Sequence, residues 1–570
     1  AQVAPISDGI AIGPLHPYES MTPFHTATPQ LTTAPADVEW SRLQDAIKSV
    51  DQNLVKRANQ LQSSGDVRAG DIFLAHRSIL QDEELQALAR EAITQRGMAV
   101  EAGWQDAIEN IARLYRELPE KYMNQRTVDV MDVGAQVLLR LSGVELHRVE
   151  LASEHSIVVA VDFTPSDVAD LVGHHAGGLI SLAGSANSHA AILARALGIP
   201  AVAGAAALLE LDDVEGATAA IDGATGELWI NPSEETVERL RQKQARRQKR
   251  RLELLQSSQQ LSRTRDGRRI EIAANLSGFA DARLAVEQGA EAVGVLRTEF
   301  LYLTRVNAPS EDEQVSAMRQ IAGWMQGRPV IVRTLDVGGD KSLPYLALPV
   351  EANPALGVRG IRQSLLHVDV FMTQLRAILR AGVGHELRIL LPMVTLVEEL
   401  NKARQLIERA HVNLVSEGIE HAWPIQVGIM VELPAAALMA KPLEPYADFY
   451  SIGTNDLTQY TLAVERGNAA LAQISDGLHP AVLRLVDEVV RVAHQHGKWV
   501  SVCGELAADP AAIPVLIGLG VDELSMSINA IPLAKSIVRG VDTVVAQILA
   551  RKALNATSAS EVRELTTSAV

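Results

Sequence analysis

The spacing of apolar residues divides the chain into stretches with different periodicities. From about Asp37 to Ser142, apolar residues recur every three or four positions, as in VEWSRLQDAIKSVDQNLVKRANQLQ and EAGWQDAIENIARLY. This spacing places the apolar side chains on one face of a helix. The sequence therefore predicts a helical block with little strand content.

Strand-like segments lie on both sides of this block. Residues 7–14, SDGIAIGP, predict a short strand, and HSIVVAVDF, HAGGLISLAG, GATAAIDG and GELWINP follow after Ser142. Short apolar runs between glycine- and proline-containing turns are typical of strands. These segments predict an α/β domain into which the helical block is inserted. From about Pro232 to Ser262 the sequence is charged and glycine-free, which predicts a long, solvated connecting helix.

The last 300 or so residues repeat one unit of strand, polar loop and helix. Its eight strand segments are RIEIAAN, AVGVLRTEF, PVIVRTLD, ELRILLPMV, IQVGIMVEL, ADFYSIGTND, KWVSVCGEL and VDELSMS. Eight such units predict a closed (β/α)₈ TIM barrel. An open doubly wound sheet is the competing fold, but eight units favour closure, and no glycine-rich dinucleotide fingerprint follows the first strand.

Composition narrows the class of protein. The 570 residues carry a formal net charge of −17, which argues against nucleic acid or an anionic membrane as a partner and favours a basic protein surface. The basic run ARRQKRR has no interleaved aromatic residue, so it is interpreted as a solvated helix face. One cysteine excludes an internal disulfide and fits a cytoplasmic protein. No apolar run approaches the ~20 residues of a membrane span. A start without methionine or a signal-peptide pattern leaves open processing or a longer parent polypeptide.

Polar residues cluster where the predicted barrel strands end, which is where the chemistry of such barrels lies. They are Arg297, Arg333, Asp336, Arg359, Arg362, Glu432, Asn455, Asp456, Arg466, Cys503 and Glu505. Several arginines at one mouth predict a site for a small, multiply charged anion. Glu432 and Asp456, on neighbouring strands, are suited to a hard cation such as Mg²⁺. Together they predict a site for a phosphorylated carboxylic acid; the alternative is a set of ordinary salt bridges.

Cys503 admits two interpretations. A free cysteine is commonly a small buried hydrophobe. Its place at a strand's carboxyl end, in VCGE, equally fits an acid–base group that faces the substrate.

The segment GSANSHAAILAR surrounds a second candidate. Small residues precede His189, and a helix-forming stretch follows it, so amide N–H groups at the helix start favour a phosphate there. This predicts a histidine that accepts a phosphoryl group and is reachable by two partners. The alternative is a structural histidine that caps the helix. A zinc site is not expected, since no second ligand lies at helical spacing, and His174 and His175 are interpreted as surface or packing residues.

Several stretches together resemble one known family. They are GSANSHAAILARALGIPAVAG, VGVLRTEFLY, VRTLDVGGDK, NPALGVRGIR, GIMVELPAA, YSIGTNDLTQYTLAVERGN and VCGELAADP. The chain is similar over nearly its whole length to Enzyme I of the bacterial phosphoenolpyruvate-dependent sugar phosphotransferase system, a transferase. Ser185 and Ala186 depart from the family's usual small and basic residues, which puts the local phosphate contacts in doubt.

The resemblance implies a role for each candidate. His189 would be phosphorylated on Nε2, and Cys503 would protonate the enolpyruvate left after transfer. Phosphoenolpyruvate would be bound by Arg297, Arg333, Arg359, Asn455, Asp456 and Arg466, and Glu432 with Asp456 would hold Mg²⁺. The helical block would dock the carrier protein HPr, and the barrel would mediate a homodimer.

The resemblance also implies domain boundaries. Residues 1–20 and 144–231 would form the phosphohistidine domain, 21–143 the HPr-binding domain, 232–262 a linker helix and 263–570 the barrel. Since His189 and the barrel mouth lie in different domains, we hypothesise that the α/β part swings between the barrel and the carrier.

Rival functions stay open at this point. A dikinase or phosphoenolpyruvate synthase shares the histidine and barrel parts but needs an ATP-binding domain, and no glycine-rich phosphate loop of that kind is seen in the sequence. A regulatory phospho-relay module would be expected to lack Cys503 or the carboxylates. The chain is also compatible with the Enzyme I part of a longer multiphosphoryl transfer protein.

Overall fold

A computed structural model shows two compact units, Ala1–Lys249 and Arg250–Val570. It describes residues 3–18, 34–63, 67–117, 121–142, 151, 155–183, 188–206, 216–302, 307–338, 343, 345–346, 351–465, 471 and 473–567. No helix in these ranges is long and apolar enough to cross a membrane.

The first unit combines a sheet with a block of helices. Its elements are β1 (Ala4–Ser7), β2 (Ile10–Pro17), α1 (Ala36–Ser63), α2 (Val67–Leu80), α3 (Glu83–Thr94), α4 (Val100–Glu117), α5 (Lys121–Ser142), β3 (Ile157–Ala160), α6 (Pro165–Gly173), β4 (Gly178–Ser181), α7 (His189–Leu197), β5 (Ala201–Ala203), β6 (Thr218–Asp222) and β7 (Glu227–Ile230). The strand order is β1-β5-β4-β3-β2-β6-β7. Strands β2 to β5 are parallel, and β1, β6 and β7 are antiparallel to their neighbours.

The helical block and the sheet share one hydrophobic core. Leu54, Phe73 and Trp104 of the helices belong to the same buried cluster as Val158 of β3 and Leu193 of α7. The indole N–H of the fully buried Trp104 also donates to the Gly134 carbonyl at 3.1 Å, which ties α4 to α5. This shared core brings α2 and α5 against the start of α7.

The predicted connecting helix is confirmed as a helix, α8 (Glu234–Ser258), which includes residues of both units. Its first part packs on the first unit, where the Gln244 amide donates to the Ile10 carbonyl at 3.1 Å. Its last residue belongs to the second unit, where the buried Lys535 ammonium donates to the carbonyls of Ser258 and Gly289 at 2.7 Å each. Lys535 also pairs with Glu291 at 2.9 Å, so its buried charge is compensated.

The second unit is the predicted (β/α)₈ barrel. Its strands are β8 (Glu271–Leu276), β9 (Ala292–Arg297), β10 (Val330–Arg333), β11 (Leu387–Leu391), β12 (Gln426–Val431), β13 (Tyr450–Ile452), β14 (Val500–Val502) and β15 (Glu523–Met526). They pair in parallel and in chain order, and β15 closes onto β8. All eight strands predicted from the apolar segments are confirmed.

Helices surround this barrel. They are α9 (Phe279–Glu287), α10 (Glu311–Trp324), α11 (Ile361–Leu366), α12 (Val368–Ala381), α13 (Val397–Ser416), α14 (Pro434–Leu438), α15 (Ala440–Leu443), α16 (Thr454–Leu462), α17 (Pro480–Gln495), α18 (Ala512–Leu519), α19 (Ile531–Gly540), α20 (Thr543–Asn555) and α21 (Ala559–Thr567). Their apolar faces and the outward side chains of the strands form the largest buried cluster of the molecule's described residues.

The barrel interior is filled by side chains. Val295, Ile331, Leu390, Met430, Phe449 and Cys503 form one buried cluster inside it. Gly428 makes room for Phe449, since a Cβ at position 428 would lie 2.3 Å from that ring. Because this interior is packed, a ligand has room at the carboxyl ends of the strands, where the loops converge.

Candidate functional site

Helix α7 begins at His189 but is capped by its neighbour. Ser188 has extended backbone dihedrals, and its hydroxyl accepts the Ala191 N–H at 3.2 Å, which is the usual geometry of an N-cap. The sequence alternative of a capping histidine is therefore wrong, because Ser188 supplies the cap. The preceding residues 184–187, which include Ser185 and Ala186, lie outside the described residues.

The His189 imidazole instead contacts the helical block. Its Nδ1 lies 3.0 Å from Oδ1 of Asp129 on α5. The same carboxylate oxygen lies 3.2 Å from Nε2 of His76 on α2. Asp129 and His76 are buried, whereas the His189 side chain is 26% exposed. Two imidazoles thus converge on one buried oxygen, and the contact to Asp129 occupies the Nδ1 of His189.

The charge of Asp129 decides which nitrogen of His189 carries the proton. Burial alone would raise the pKa of Asp129, but the hydrogen bonds from His189 and His76 outweigh it and hold the pKa at about 2. Asp129 is therefore an ionised acceptor at neutral pH, and the Nδ1 facing it must donate. In the neutral imidazole, the Nε2 of His189 then keeps a lone pair.

Asp132 completes a chain of ionisable groups. Its Oδ2 lies 3.8 Å from Nδ1 of His76 and accepts the Ser166 N–H at 3.2 Å. Burial raises the pKa of Asp132 to about 6, against the opposing charge of His76. Burial would lower the pKa of His76, but the hydrogen bond to Asp129 and the charge of Asp132 raise it. These carboxylates therefore stabilise the protonated form of His76 more than water does.

The sequence analysis missed His76, Asp129 and Asp132. A signal does exist, because His76 falls on the apolar stripe of α2 that includes the buried Phe73 and Leu80. An ionisable residue on such a stripe is unusual unless it has a buried partner. The partner lies on a different helix, so only the tertiary structure identifies it.

In the barrel unit, arginines and carboxylates alternate at the mouth. Arg333, at the end of β10, donates to Glu299 at 2.6 Å and pairs with Asp336 at 3.2 Å. Arg359 donates to Asp336 at 3.0 Å and to Asp456 at 3.2 Å. The shared carboxylate of Asp336 links the two guanidinium groups, so their positions are fixed relative to each other.

Both arginines remain protonated in this setting. Burial would lower the pKa of each guanidinium, but Glu299 and Asp336 raise that of Arg333, and Asp336 and Asp456 raise that of Arg359. Tyr460, one turn after Asp456 on α16, also contacts Arg359, at 3.4 Å. Neither Glu299 nor Tyr460 was named as a site residue from the sequence.

Glu432, at the end of β12, is almost fully buried. Its Oε1 accepts the Met393 N–H at 2.6 Å. Burial and the negative charges of Asp456 and Asp336 raise the pKa of Glu432 well above its usual range. Gly453 leaves room for this side chain, because a Cβ there would lie 3.1 Å from the Glu432 Cβ and 3.3 Å from its Oε2.

Glu432 and Asp456 fit a divalent cation by this donor chemistry. A nearby positive charge would favour the ionised form of Glu432, which the present surroundings disfavour. Cations that use only one or two protein carboxylates and take further oxygens from water or substrate are accommodated by such a pair. Within the described ranges, no group of three or more His, Cys, Asp or Glu side chains forms a metal-binding cluster.

Cys503 follows β14 and belongs to the buried cluster in the interior of the barrel. Its Sγ lies 3.5 Å from the Ile452 carbonyl, and the residue is 8% exposed. Burial raises the pKa of this thiol to about 12, so it is protonated at neutral pH. The structure thus shows the small buried residue of the first interpretation, and the acid–base role of Cys503 stays a prediction.

The remaining candidates occupy different positions. Arg297 ends β9 and lies opposite Arg333 in the strand register. The Asn455 side-chain oxygen accepts the Glu505 N–H at 2.8 Å, which links the two loops. Arg362 instead contacts Thr395 at 3.0 Å. Arg466 lies outside the described residues.

Three family models cover most of the chain. The PEP-binding domain of PEP-utilising enzymes matches residues 251–543, their N-terminal domain matches residues 4–126, and their mobile domain matches residues 152–226.

Related proteins agree with these models. A phosphoenolpyruvate-protein phosphotransferase of Priestia megaterium is 40% identical over 522 residues, which are 90% of this chain and 91% of that protein. A multiphosphoryl transfer protein of Rhodobacter capsulatus is 43% identical over 504 residues, 88% of this chain and 60% of that protein. An NMR structure of Enzyme I (nEIt) matches 43% of this chain and 99% of that chain, with 27% identity and a TM-score of 0.34. With its barrel and its 40% identity to the Priestia megaterium protein over 90% of its length, the chain belongs to the phosphoenolpyruvate-protein phosphotransferase family, the Enzyme I family.

Proposed function

We propose that this protein transfers the phosphoryl group of phosphoenolpyruvate to its own His189 and then to a histidine of the carrier protein HPr. Pyruvate is released, and the reaction is the first step of a sugar phosphotransferase system. The observation that carries the proposal is the contact between His189 Nδ1 and the buried, ionised Asp129. It leaves Nε2 as the nucleophile on a partly exposed imidazole.

The barrel mouth is the proposed donor site. Arg297, Arg333, Arg359 and Arg466 neutralise the phosphate and carboxylate of phosphoenolpyruvate, and Asn455 and Asp456 contribute polar contacts. Guanidinium groups that are already fixed by carboxylates lose little freedom when an anion binds. Glu432 and Asp456 would hold Mg²⁺, which when bound supplies positive charge to the phosphoryl oxygens.

The transfer balances with the residues present. The Nε2 lone pair of His189 forms a bond to phosphorus, and the bond between phosphorus and the enol oxygen breaks. The electron pair leaves with the enolate, and its methylene carbon takes the proton of the Cys503 thiol to give pyruvate. The high pKa of Cys503 supports this role, because the thiol carries a proton at neutral pH.

The second transfer regenerates His189. A carrier imidazole attacks the same phosphorus, the bond to Nε2 breaks, and the electron pair returns to His189. The proton stays on Nδ1 of His189 throughout, where it is donated to Asp129, and the Cys503 thiolate takes up a proton from water. The helical block is the proposed docking surface for HPr, and it is the part of the chain that supplies Asp129 and His76 beside His189.

Incubation with ³²P-labelled phosphoenolpyruvate and Mg²⁺ tests the proposal. We expect acid-labile, base-stable label on His189 and one pyruvate released per label. The His189→Gln variant should stay unlabelled, whereas His174→Gln, a change at an exposed histidine of the same unit, should label normally. Label at another residue, or none in the unmodified protein, would overturn the proposal.

The homodimer expected from the resemblance and the cytoplasmic location expected from the single cysteine remain predictions. Sedimentation velocity of the full chain tests the homodimer, and the distribution of the protein between cell fractions tests the cytoplasmic location. An ATP-dependent phosphorylation of His189 would favour the dikinase alternative.

A further inference from the structure

His76 is buried in the first unit and is not part of the transfer described above. It is fully buried, yet its Nε2 lies 3.2 Å from the oxygen that also contacts His189. Its Nδ1 has no hydrogen-bond partner among the described residues and faces Asp132 at 3.8 Å. An ionisable side chain in such a place is costly unless its partners compensate it, so its contacts indicate a specific role.

We infer that His76 is a positioning residue that keeps Asp129 in place and ionised, so that Asp129 fixes the proton of His189 on Nδ1. The inference rests on the proposed function in one respect, namely that Nε2 of His189 receives the phosphoryl group. The geometry behind it, two imidazole nitrogens on one oxygen, is independent of that function.

Without His76, the ionised form of Asp129 would be stabilised less. Asp129 is buried, so it would keep the donor on His189 and lose the donor on His76. A buried carboxylate with less compensation takes up a proton more readily. A protonated Asp129 can donate to Nδ1 of His189, which reverses the hydrogen bond. The imidazole proton then lies on Nε2, and the nucleophilic lone pair is lost.

The surroundings of His76 shift its pKa in opposite directions. Burial lowers the pKa, Asp129 and Asp132 on α5 raise it, and Arg57 on α1 opposes them. Arg57 is itself paired with Asp170 of α6 at 2.5 Å. The Ser166 N–H on α6 holds Asp132 in place at 3.2 Å. The charges that act on His76 thus come from two helices, α1 and α5, and the two carboxylates outweigh burial and the arginine.

A matched pair of substitutions tests the inference. The amide nitrogen of glutamine reaches about as far as the imidazole Nε2, whereas that of asparagine reaches only to the Nδ1 position. His76→Gln should therefore keep the bond to Asp129, and H76N should lose it, although both are neutral and polar. His174→Gln serves as the surface control.

The readout is the tautomer of His189, measured by long-range ¹H–¹⁵N NMR of the full chain labelled with ¹⁵N-histidine and assigned with His189→Gln. We expect Nδ1–H in the unmodified protein, in H76Q and in His174→Gln, and a shift towards Nε2–H in H76N. Labelling of His189 by phosphoenolpyruvate should fall about tenfold in H76N and stay within about twofold in H76Q, as one lost charge-assisted hydrogen bond predicts.

The outcomes are separable. A folded H76N protein with unchanged Nδ1–H would overturn the inference, since a purely structural histidine would alter the melting temperature and leave the tautomer alone. If H76N does not fold, the apolar His76→Met takes its place with the same expected shift. If the unmodified protein is not labelled at His189, the proposed function fails, while the tautomer result still decides the inference.

Discussion

At the scale of single residues, the two units place carboxyl groups in opposite electrostatic settings. Two imidazole donors lower the pKa of Asp129 to about 2, whereas burial and neighbouring carboxylates raise that of Glu432. Glu432 could be selected from the sequence because it lies at the end of a strand. Asp129 could not be selected, because nothing in helix α5 distinguishes it from an acidic residue that faces solvent. The setting of each carboxyl group is a property of the tertiary structure.

Replacing Asp129 tests the first setting. In Asp129→Asn the side chain is neutral and can donate to Nδ1 of His189, which favours the proton on Nε2. We expect phosphorylation of His189 to slow by roughly 10- to 100-fold, the range of a charge-assisted hydrogen bond. Rapid-quench labelling with phosphoenolpyruvate measures this rate. An unchanged rate in a folded variant would contradict the role of Asp129.

Glu523 offers a prediction on pH dependence. This residue begins β15, is 3% exposed, and has a pKa raised from 4.5 to about 8 by burial and by the charge of Glu271. A raised pKa means that the folded barrel binds the proton more tightly than the unfolded chain does. The resulting stability is complete below pH 4.5 and is lost as the pH rises through about 8.

The variant Glu523→Gln has no carboxyl group at this position, so its stability does not depend on this proton. Its melting temperature, followed by calorimetry from pH 5 to pH 9, should fall less with rising pH than that of the unmodified protein. The gap between the two should widen steadily up to about pH 8. A constant gap across this range would show that Glu523 does not titrate in the folded barrel.

At the scale of elements, local pattern was sufficient for most of the fold. The eight barrel strands and the helices α1 to α5 follow from apolar spacing, because each carries several periodic positions. Strands β1 and β5 were missed, since they are short and lie outside the repeated unit of strand, loop and helix that identified equally short strands in the barrel. The sequence identified Arg333 and Arg359 as residues near strand ends but did not predict their ion pairs. These pairs depend on loops whose paths the sequence does not specify.

The loop after β14 makes a close contact that can be tested. A Cβ at Gly504 would lie 2.0 Å from Thr454 Oγ1 and 2.9 Å from the Thr454 nitrogen. Gly504→Ala should therefore displace both Cys503 and the start of α16, and so lower pyruvate formation and the melting temperature. Gly323→Ala is the matched control, because a Cβ there meets nothing within 4 Å. Equal behaviour of the two variants would show that the loop adapts.

At the scale of the whole molecule, the candidate site residues are divided between two units. His189, Asp129 and His76 belong to Ala1–Lys249, and the arginines, carboxylates and thiol of the barrel mouth belong to Arg250–Val570. The domain boundaries and the swinging motion expected from the resemblance stay predictions. The division itself implies that the two half-reactions depend on different residues.

Cys503→Ala separates these half-reactions. In the proposed function the thiol serves only to protonate the enolate, so pyruvate formation from phosphoenolpyruvate should slow by about 10²- to 10⁴-fold, as expected for a lost general acid. Exchange of the phosphoryl group between phosphorylated HPr and His189 uses the first unit alone and should keep its rate. His189→Gln must abolish both reactions, which provides the control. Equal losses of both rates in Cys503→Ala would mean that this thiol supports the structure and does not donate the proton, and the assignment of the two steps to two units would then lose its chemical basis.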